Sequence, residues 1–184
     1  IETGIVKLAK EGYSLVLQSM KYVALLSGVI KKRSNKISLT KKGQALLDKS
    51  KRYELLKLLF QSHFQKFNFG YFDGYSDETS LQSLFGYTMY LLLKYGDEER
   101  EAGFYATKNM EAFPYELVHF QGRWSTPEEQ FTSCYRVRIF ERFLSFYAFV
   151  DYIVENRYRP NKTFEVQTTP VFRELFEIRK DKFQ

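Results

Sequence analysis

The residues with the clearest chemical potential are a cluster of cations between positions 31 and 42, a stretch that contains no acid. A basic hairpin suits contact with phosphate groups, because lysine and arginine neutralise the backbone charge of a nucleic acid and release its counterions. The alternative is a solvated turn whose charges only keep the protein in solution. The cations are Lys31, Lys32, Arg33, Lys36, Lys41 and Lys42.

The helix predicted before this cluster supplies the candidates for reading bases. It opens at Ser14, a typical N-cap, and ends at Gly28. Apolar residues nearly encircle it, so we expect it to be well buried, and its polar positions after the cap are few. Base readout normally uses Arg, Asn or Gln, so Gln18, Ser19 and Lys21 predict weak sequence specificity.

Histidine, cysteine and acidic residues show no catalytic arrangement. His63 and His119 lie far apart, and neither has the spacing of a metal-binding motif. Cys134 has no nearby histidine in the sequence, which favours a buried thiol. Asp73, followed by a glycine, predicts a turn, since the acids near it do not fit the spacing of a calcium loop. We therefore expect no enzyme, no metal and no cofactor.

Composition indicates a globular protein. The chain has 184 residues, of which 44% are hydrophobic and 27% charged, enough for a real core. Its 1 cysteine excludes an internal disulfide and a cysteine-built zinc site. Because no apolar run approaches the ~18 residues of a membrane span and no signal peptide is visible, we expect a soluble cytoplasmic protein. Its start at Ile1 rather than Met predicts a piece of a longer protein.

Charge and aromatic residues divide the chain in opposite ways. Residues 1–52 have a formal charge of +9 and the remainder −3, whereas only 2 of the aromatic residues lie before position 53. Such asymmetry predicts two modules with different partners. A loop rich in Gly, Asp, Asn and Ser follows position 67, so we place the modules at residues 1–67 and 68–184.

The first module reads as helix, helix, hairpin, helix. A short helix is predicted over 3–11, and two short strands are predicted around a polar turn at Ser34-Asn35. Thr40 then caps a helix that we expect to continue to Phe64. The polar turn and its flanking strands place the cation cluster on a protruding hairpin.

Over residues 1–50 this pattern resembles a winged helix-turn-helix domain. The resemblance is carried by the hairpin and by Leu-Thr-x-x-Gly-x-x-Leu-Leu at residues 39–47. It implies that the helix over 14–27 is a recognition helix and that the hairpin is a wing beside DNA. The departure lies at the N-terminus, where too few residues precede Gly12 for a complete three-helix set.

The second module is rich in aromatic residues at helical spacing, which predicts a packed core rather than a base-stacking surface. A long helix is predicted from Thr126 to Asn156, a strand at Phe164 to Val166, and a helix capped by Thr169. A cap followed by an apolar helix repeats the end of the first module.

An internal repeat is indicated by aligning Thr40 with Thr169. Ile37 then falls on Val166, and Leu46 on Leu175. The match predicts a second winged helix in the second module. The stretches LTKKG and TPVFRELF also resemble the C-terminal region of poorly characterised bacterial plasmid open-reading-frame proteins, a resemblance that implies no known activity.

Together these patterns predict a mainly α protein with short β-wings: a winged helix, then an aromatic-rich helical module that repeats it. The function expected is regulatory DNA association through backbone phosphates, with double-stranded DNA as the partner. The alternative is a protein-interaction module of degenerate winged helices in a larger protein, because a buried recognition helix cannot enter a groove. Its partner would be another protein or a second copy of the chain.

Overall fold

A computed structural model describes residues 14–71, 73–75, 80–120, 125–155 and 163–178. The helix predicted over 3–11 lies outside these ranges. The chain divides into two compact units, residues 1–68 and residues 69–184, called unit 1 and unit 2 below. Both are mainly helical with short antiparallel strands, which confirms the predicted mainly α class with short β elements.

Unit 1 begins with the helix that its cap predicts. The hydroxyl of Ser14 accepts a hydrogen bond from the backbone N–H of Leu17 at 3.3 Å, and Gly28 has a φ of +72° where the chain leaves the helix. The elements are α1 (Leu15–Leu26), β1 (Ile30–Arg33), β2 (Lys36–Leu39), α2 (Lys41–Leu46), a 3-10 turn (Lys49–Lys51) and α3 (Arg52–Lys66).

The predicted strand pair is confirmed as an antiparallel hairpin, β1 with β2, which we call the basic hairpin (residues 30–39). Its two-residue turn has positive φ angles of 45° at Ser34 and 59° at Asn35. A turn of this hand matches the twist of the flanking strands, and asparagine tolerates it well.

Thr40 and Gly43 fix α2 against the start of the hairpin. The Thr40 hydroxyl donates to the carbonyl of Gly28 at 2.7 Å and accepts from the N–H of Gly43 at 2.9 Å. A Cβ on Gly43 would lie 2.0 Å from the carbonyl oxygen of Val29. The three-residue spacing of Thr40 and Gly43 therefore has two physical reasons. The threonine caps α2, and the glycine lets α2 approach the backbone of Val29 closely.

The helix predicted from Thr40 to Phe64 is wrong in one respect, because it is divided in two. The side chain of Asp48 accepts hydrogen bonds from the N–H of Ser50 at 2.8 Å and from its hydroxyl at 2.6 Å. Short polar side chains that bond to nearby backbone compete with continued helix. α2 therefore ends at Leu46, and α3 starts after a 3-10 turn.

Unit 2 is larger and contains a three-stranded antiparallel sheet in the order β3-β5-β4. Thr126 caps the helix that starts at Pro127 with a capping box that includes Glu129, as the predicted helix start requires. The elements are α4 (Ser80–Ser83), α5 (Phe85–Tyr95), β3 (Arg100–Glu101), α6 (Ala102–Ala112), a 3-10 helix (Pro114–His119), α7 (Pro127–Tyr135), a π-helical segment (Arg136–Leu144), a 3-10 turn (Ser145–Tyr147), β4 (Val150–Glu155), β5 (Thr163–Thr168) and α8 (Pro170–Leu175).

The helix predicted from Thr126 to Asn156 is wrong beyond Tyr147. Ala148 adopts a left-handed conformation with a φ of 54°, which ends the helical path, and the chain continues as β4. The β-branched residues Val150, Ile153 and Val154 favour the strand. β4 pairs with β5 from Val150 opposite Thr168 onwards.

The aromatic residues of unit 2 form its core, as predicted. Phe131, Tyr135, Phe140 and Phe143 are buried. The ring centroid of Phe143 lies 4.8 Å from that of Phe85 in an edge-to-face arrangement, a geometry that aromatic pairs prefer. These rings are packed against one another and do not form a stacking surface for bases.

The end of unit 2 repeats the hydrogen bonds that close the basic hairpin. The hydroxyl of Thr169 donates to the carbonyl of Ala148 at 2.7 Å, as that of Thr40 does to Gly28. In each case the preceding turn residue has a positive φ, and the threonine caps a helix of 6 residues. The correspondence is therefore found at the two threonines. The other aligned pairs differ in burial, because Ile37 and Leu175 are exposed whereas Val166 and Leu46 are buried.

Candidate nucleic-acid interface

The basic hairpin separates its cations between two faces. Residues opposite each other in an antiparallel pair lie on the same face, and successive residues alternate. Arg33 pairs with Lys36 and Lys31 pairs with Ser38, so three cations lie on one face, and all of these residues are exposed. We call Lys31, Arg33 and Lys36 the cationic face.

The opposite face of the hairpin is mainly apolar. Ile30 pairs with Leu39, and Lys32 pairs with Ile37. Lys32 is therefore the cation of this face, separated from the other three by the plane of the hairpin. A sequence count treats the four cations as one group, whereas the strand register divides them.

Lys42 has a structural contact at the end of α1. Its ammonium group donates to the carbonyl of Ser27 at 3.3 Å, and that of Lys66 donates to Leu26 at 3.2 Å. The last carbonyls of a helix lack partners within the helix and carry partial negative charge, so both cations stabilise this terminus. Lys41 is exposed beside Lys42.

The polar residues predicted on the recognition helix are half-buried. Gln18, Ser19 and Lys21 all have intermediate exposure, and the Lys21 ammonium lies 5.4 Å from the ring centroid of Tyr22. These three side chains are therefore not the most solvent-accessible ones of α1.

Apolar residues occupy the most exposed positions of α1 instead. Val16 is 58% exposed, Leu17 46% and Met20 51%. The expectation that α1 is well buried is wrong, because this helix packs along one side only, with Val23 as its buried residue. The hydrophobicity of a sequence does not show which apolar side chains of such a helix are left in contact with solvent.

The sequence from α1 through the hairpin contains no acid, and its cations are concentrated after α1, in which Lys21 is the one cation. From Ser14 to Leu47 the chain contains 7 lysine and arginine residues and no aspartate or glutamate. The first acid that follows is Asp48, whose carboxylate bonds to Ser50. A segment of this kind attracts polyanions over a distance set by ionic strength.

His63 of α3 is a buried histidine rather than a ligand. It is 3% exposed, and its ring meets that of Phe67 edge-on at 4.8 Å. Burial lowers the pKa of its imidazole to about 4. The histidine is thus neutral at pH 7 and belongs to the packing of α3.

Unit 2 contains a surface cavity of about 470 Å³. The acidic residue that lines it is Glu129. Its carboxylate accepts a hydrogen bond from the backbone N–H of Thr126 at 3.0 Å and so caps the start of α7. The polar and aromatic lining residues include Tyr75, His119, Phe120, Glu129, Gln130 and Ser133.

Cys134 is confirmed as a buried thiol. Burial raises its pKa to about 12, so it is protonated at neutral pH. A protonated, buried thiol is a poor nucleophile, and the side chain contributes to the core of α7.

Two groups of buried polar side chains in unit 2 were not predicted from the sequence. Arg138, in the π-helical segment, donates to both carboxylate oxygens of Asp73 at 2.5 and 3.2 Å. The hydroxyl of Tyr135 lies 2.7 Å from that of Thr88 and accepts from the amide of Asn109 at 3.0 Å. Partners separated by 26 to 65 residues leave no local signal in the sequence.

The Asp73 turn is present as predicted, with Gly74 at a φ of 80° and the N–H of Tyr75 donating to the Asp73 carboxylate at 2.9 Å. The neighbouring acids Asp77 and Glu78 lie outside the described residues. Among the residues that the structure does describe, no group of three or more His, Cys, Asp and Glu side chains could hold a metal ion.

In the described parts of the chain, every helix falls short of the length and apolar character that crossing a membrane requires.

A scan of protein-family models, a search of curated proteins and a search of solved structures each give no match to this chain. The basis for a functional assignment is therefore the chemistry of the hairpin and of α1.

Proposed function

We propose that the chain is a DNA-associated protein of regulatory type that binds duplex DNA mainly through backbone phosphates. The observation that carries this proposal is the exposed cationic face of the hairpin, Lys31, Arg33 and Lys36. Three cations on one face can contact successive phosphates, because the face is not interrupted by an acid.

Each unit is proposed to be a winged helix. Unit 1 has α1, the hairpin and the helix capped by Thr40 in the order that this family shows. Unit 2 has α7, the β4-β5 strand pair and the helix capped by Thr169 in the same order, and α6 precedes them. The repeated threonine hydrogen bonds support a common origin for the two arrangements.

Unit 2 differs from unit 1 in the charge of its paired strands. β4 and β5 contain no lysine or arginine and three acids, Asp151, Glu155 and Glu165, and the cations of this region, Arg157, Arg159 and Lys162, lie in the sequence between the two strands. Acids repel phosphate, so the β4-β5 strands are unsuited to DNA contact. We assign unit 2 the role of a dimerisation or effector module and leave DNA contact to unit 1.

A salt titration tests the phosphate contacts directly. The full chain is titrated with a labelled duplex at several salt concentrations, and log affinity is plotted against log salt. Each neutralised phosphate contributes about −0.9 to the slope, so the cationic face alone contributes about −3. A slope near zero, or no binding at low salt, would refute the proposal.

A protein-interaction module is the second candidate function, and the exposed apolar residues of α1 favour it. Val16, Leu17 and Met20 together present a contact surface that a protein partner could cover. This candidate predicts no DNA binding at low salt. It also predicts that replacing Leu17 and Met20 by Gln abolishes capture of a partner by the folded chain.

A further inference from the structure

Resting on the proposed function, we infer that α1 reads the C5-methyl groups of thymine in the major groove through Val16, Leu17 and Met20. The inference gives the protein a preference for A·T-rich duplex DNA. It replaces the polar readout expected from Gln18 with an apolar one.

The position of the three residues along α1 supports this assignment. Recognition helices contact base edges mainly with their N-terminal residues. α1 starts at Leu15, so Val16 and Leu17 lie in its first turn and Met20 in its second. They are also the most exposed apolar side chains of that helix.

The chemistry of the three side chains decides which base they can recognise. The thymine methyl is the apolar group that base pairs of unmodified DNA present in the major groove, and apolar side chains are its usual partners. Valine and leucine have no donor or acceptor for the polar edges of G·C pairs, and the thioether of methionine is only a weak acceptor. They therefore discriminate by burying a methyl group from water.

Charge favours DNA over a protein as the occupant of this surface. The segment from Ser14 to Leu47 has 7 cations and no acid. Two backbone hydrogen bonds, from Gly28 to Leu25 and from Val29 to Ala24, couple the end of α1 to the hairpin. The apolar residues and the cationic face thus belong to one continuous basic segment, to which a polyanion with methyl groups is complementary.

Replacement of thymine by deoxyuridine tests the inference, because it removes the methyl group and keeps the charge and the base-pair hydrogen bonds. The full chain is titrated with two A·T-rich duplexes of identical sequence, one with thymine and one with deoxyuridine. We expect the thymine duplex to bind about fourfold more tightly per methyl contacted.

Two variants separate methyl readout from phosphate contact. Leu17→Gln with Met20→Gln should reduce the preference for thymine to the part that Val16 supplies and leave the salt slope unchanged. Lys31→Ala, Arg33→Ala and Lys36→Ala together should weaken binding to both duplexes and keep the preference. Since all five side chains are exposed, neither variant should unfold the chain.

Three results would overturn the inference. Equal binding of the two duplexes by the wild-type chain would mean that α1 does not read methyl groups. The exposed apolar residues of α1 would then be assigned to contact with a protein partner. A thymine preference that is undiminished in the glutamine variant would assign that preference to DNA shape. Absence of any DNA binding would instead refute the proposed function itself. Circular dichroism confirms that each variant is folded, and Leu17→Ser with Met20→Ser, which also replaces the apolar side chains by polar ones, repeats the test.

Discussion

Arg138 and Asp73 form a bidentate ion pair whose side chains are only 1% and 0% exposed. The pair joins the π-helical segment to the turn at Gly74, across 65 residues of sequence. Both charges are removed from water, so each depends on the other for its stabilisation. The guanidinium of Arg142 donates to the backbone carbonyl of Tyr71 at 3.1 Å, a second attachment of the π-helical segment to the chain before Gly74.

Breaking the pair on one side should strongly destabilise unit 2. We expect Asp73→Ala to lower the free energy of unfolding by about 3–5 kcal/mol, because Arg138 would remain charged and buried without its partner. Urea denaturation measures the change. In the double variant Asp73→Leu with Arg138→Met we expect much of this loss to be recovered. The exposed pair Lys108–Glu111 provides the control, and Glu111→Gln should change stability little.

Gly43 should be far less replaceable than Gly28. In Gly43→Ala the new methyl group would collide with the carbonyl oxygen of Val29, at 2.0 Å, and α2 would have to move away from the hairpin. We expect a loss of about 3 kcal/mol or more. In Gly28→Ala the new methyl group would have no neighbour within 4 Å. This variant should lose only about 1–2 kcal/mol of unfolding free energy, because alanine disfavours the φ of +72°. Equal losses for the two variants would contradict the close approach of α2.

His63 should make the stability of unit 1 depend on pH. The pKa of its imidazole is about 4 in the folded chain, against the ordinary value of 6.5 that we assign to the unfolded chain, so the unfolded state binds the proton more readily between these values. Stability attributable to this residue is therefore complete above pH 6.5, falls as the pH decreases to about 4 and then levels off. The loss amounts to roughly 3 kcal/mol.

The His63→Gln variant isolates this contribution. Its urea midpoint should change less between pH 7 and pH 4.5 than that of the wild-type chain. His119→Gln, which replaces an exposed histidine, is the control for the substitution itself. An unchanged pH dependence in His63→Gln would assign the effect to carboxylates.

The two faces of the hairpin should differ in their effect on DNA binding. Replacing the cationic face, Lys31, Arg33 and Lys36, by Ala should reduce the magnitude of the salt slope by about 3, whereas Lys32→Ala should change it by at most about 1. The loss should be similar for all DNA sequences, because phosphate contacts carry no base information. A larger effect from Lys32 than from the other three would reverse the proposed orientation of the hairpin.

Local signals in the sequence predicted the local features of the fold. Ser14, Thr40 and Thr169 cap helices as their types indicate, and the Ser34-Asn35 turn lies where a polar pair separates two short strands. These features depend on hydrogen bonds within a few residues, which residue type alone can specify.

Features that depend on distant partners were not predictable. The turn into β4 interrupts a stretch with helical periodicity at Ala148, whose carbonyl accepts a hydrogen bond from the distant Thr169. The break at Asp48 also interrupts helical periodicity, but it depends on local hydrogen bonds to Ser50. The exposure of Val16, Leu17 and Met20 depends on which side of α1 meets α3, which hydrophobicity does not record. For the candidate site, the sequence identified the cations but not their division between two faces.

The acid-free segment from Ser14 to Leu47 has a consequence for folding as well as for binding. Its 7 cations repel one another in the compact state, and added salt screens that repulsion. Salt should therefore stabilise unit 1 while it weakens the proposed DNA contact. Phosphate groups aligned along the hairpin would act as the counter-charge that the segment itself does not contain, so bound DNA would stabilise the fold most where salt is lowest.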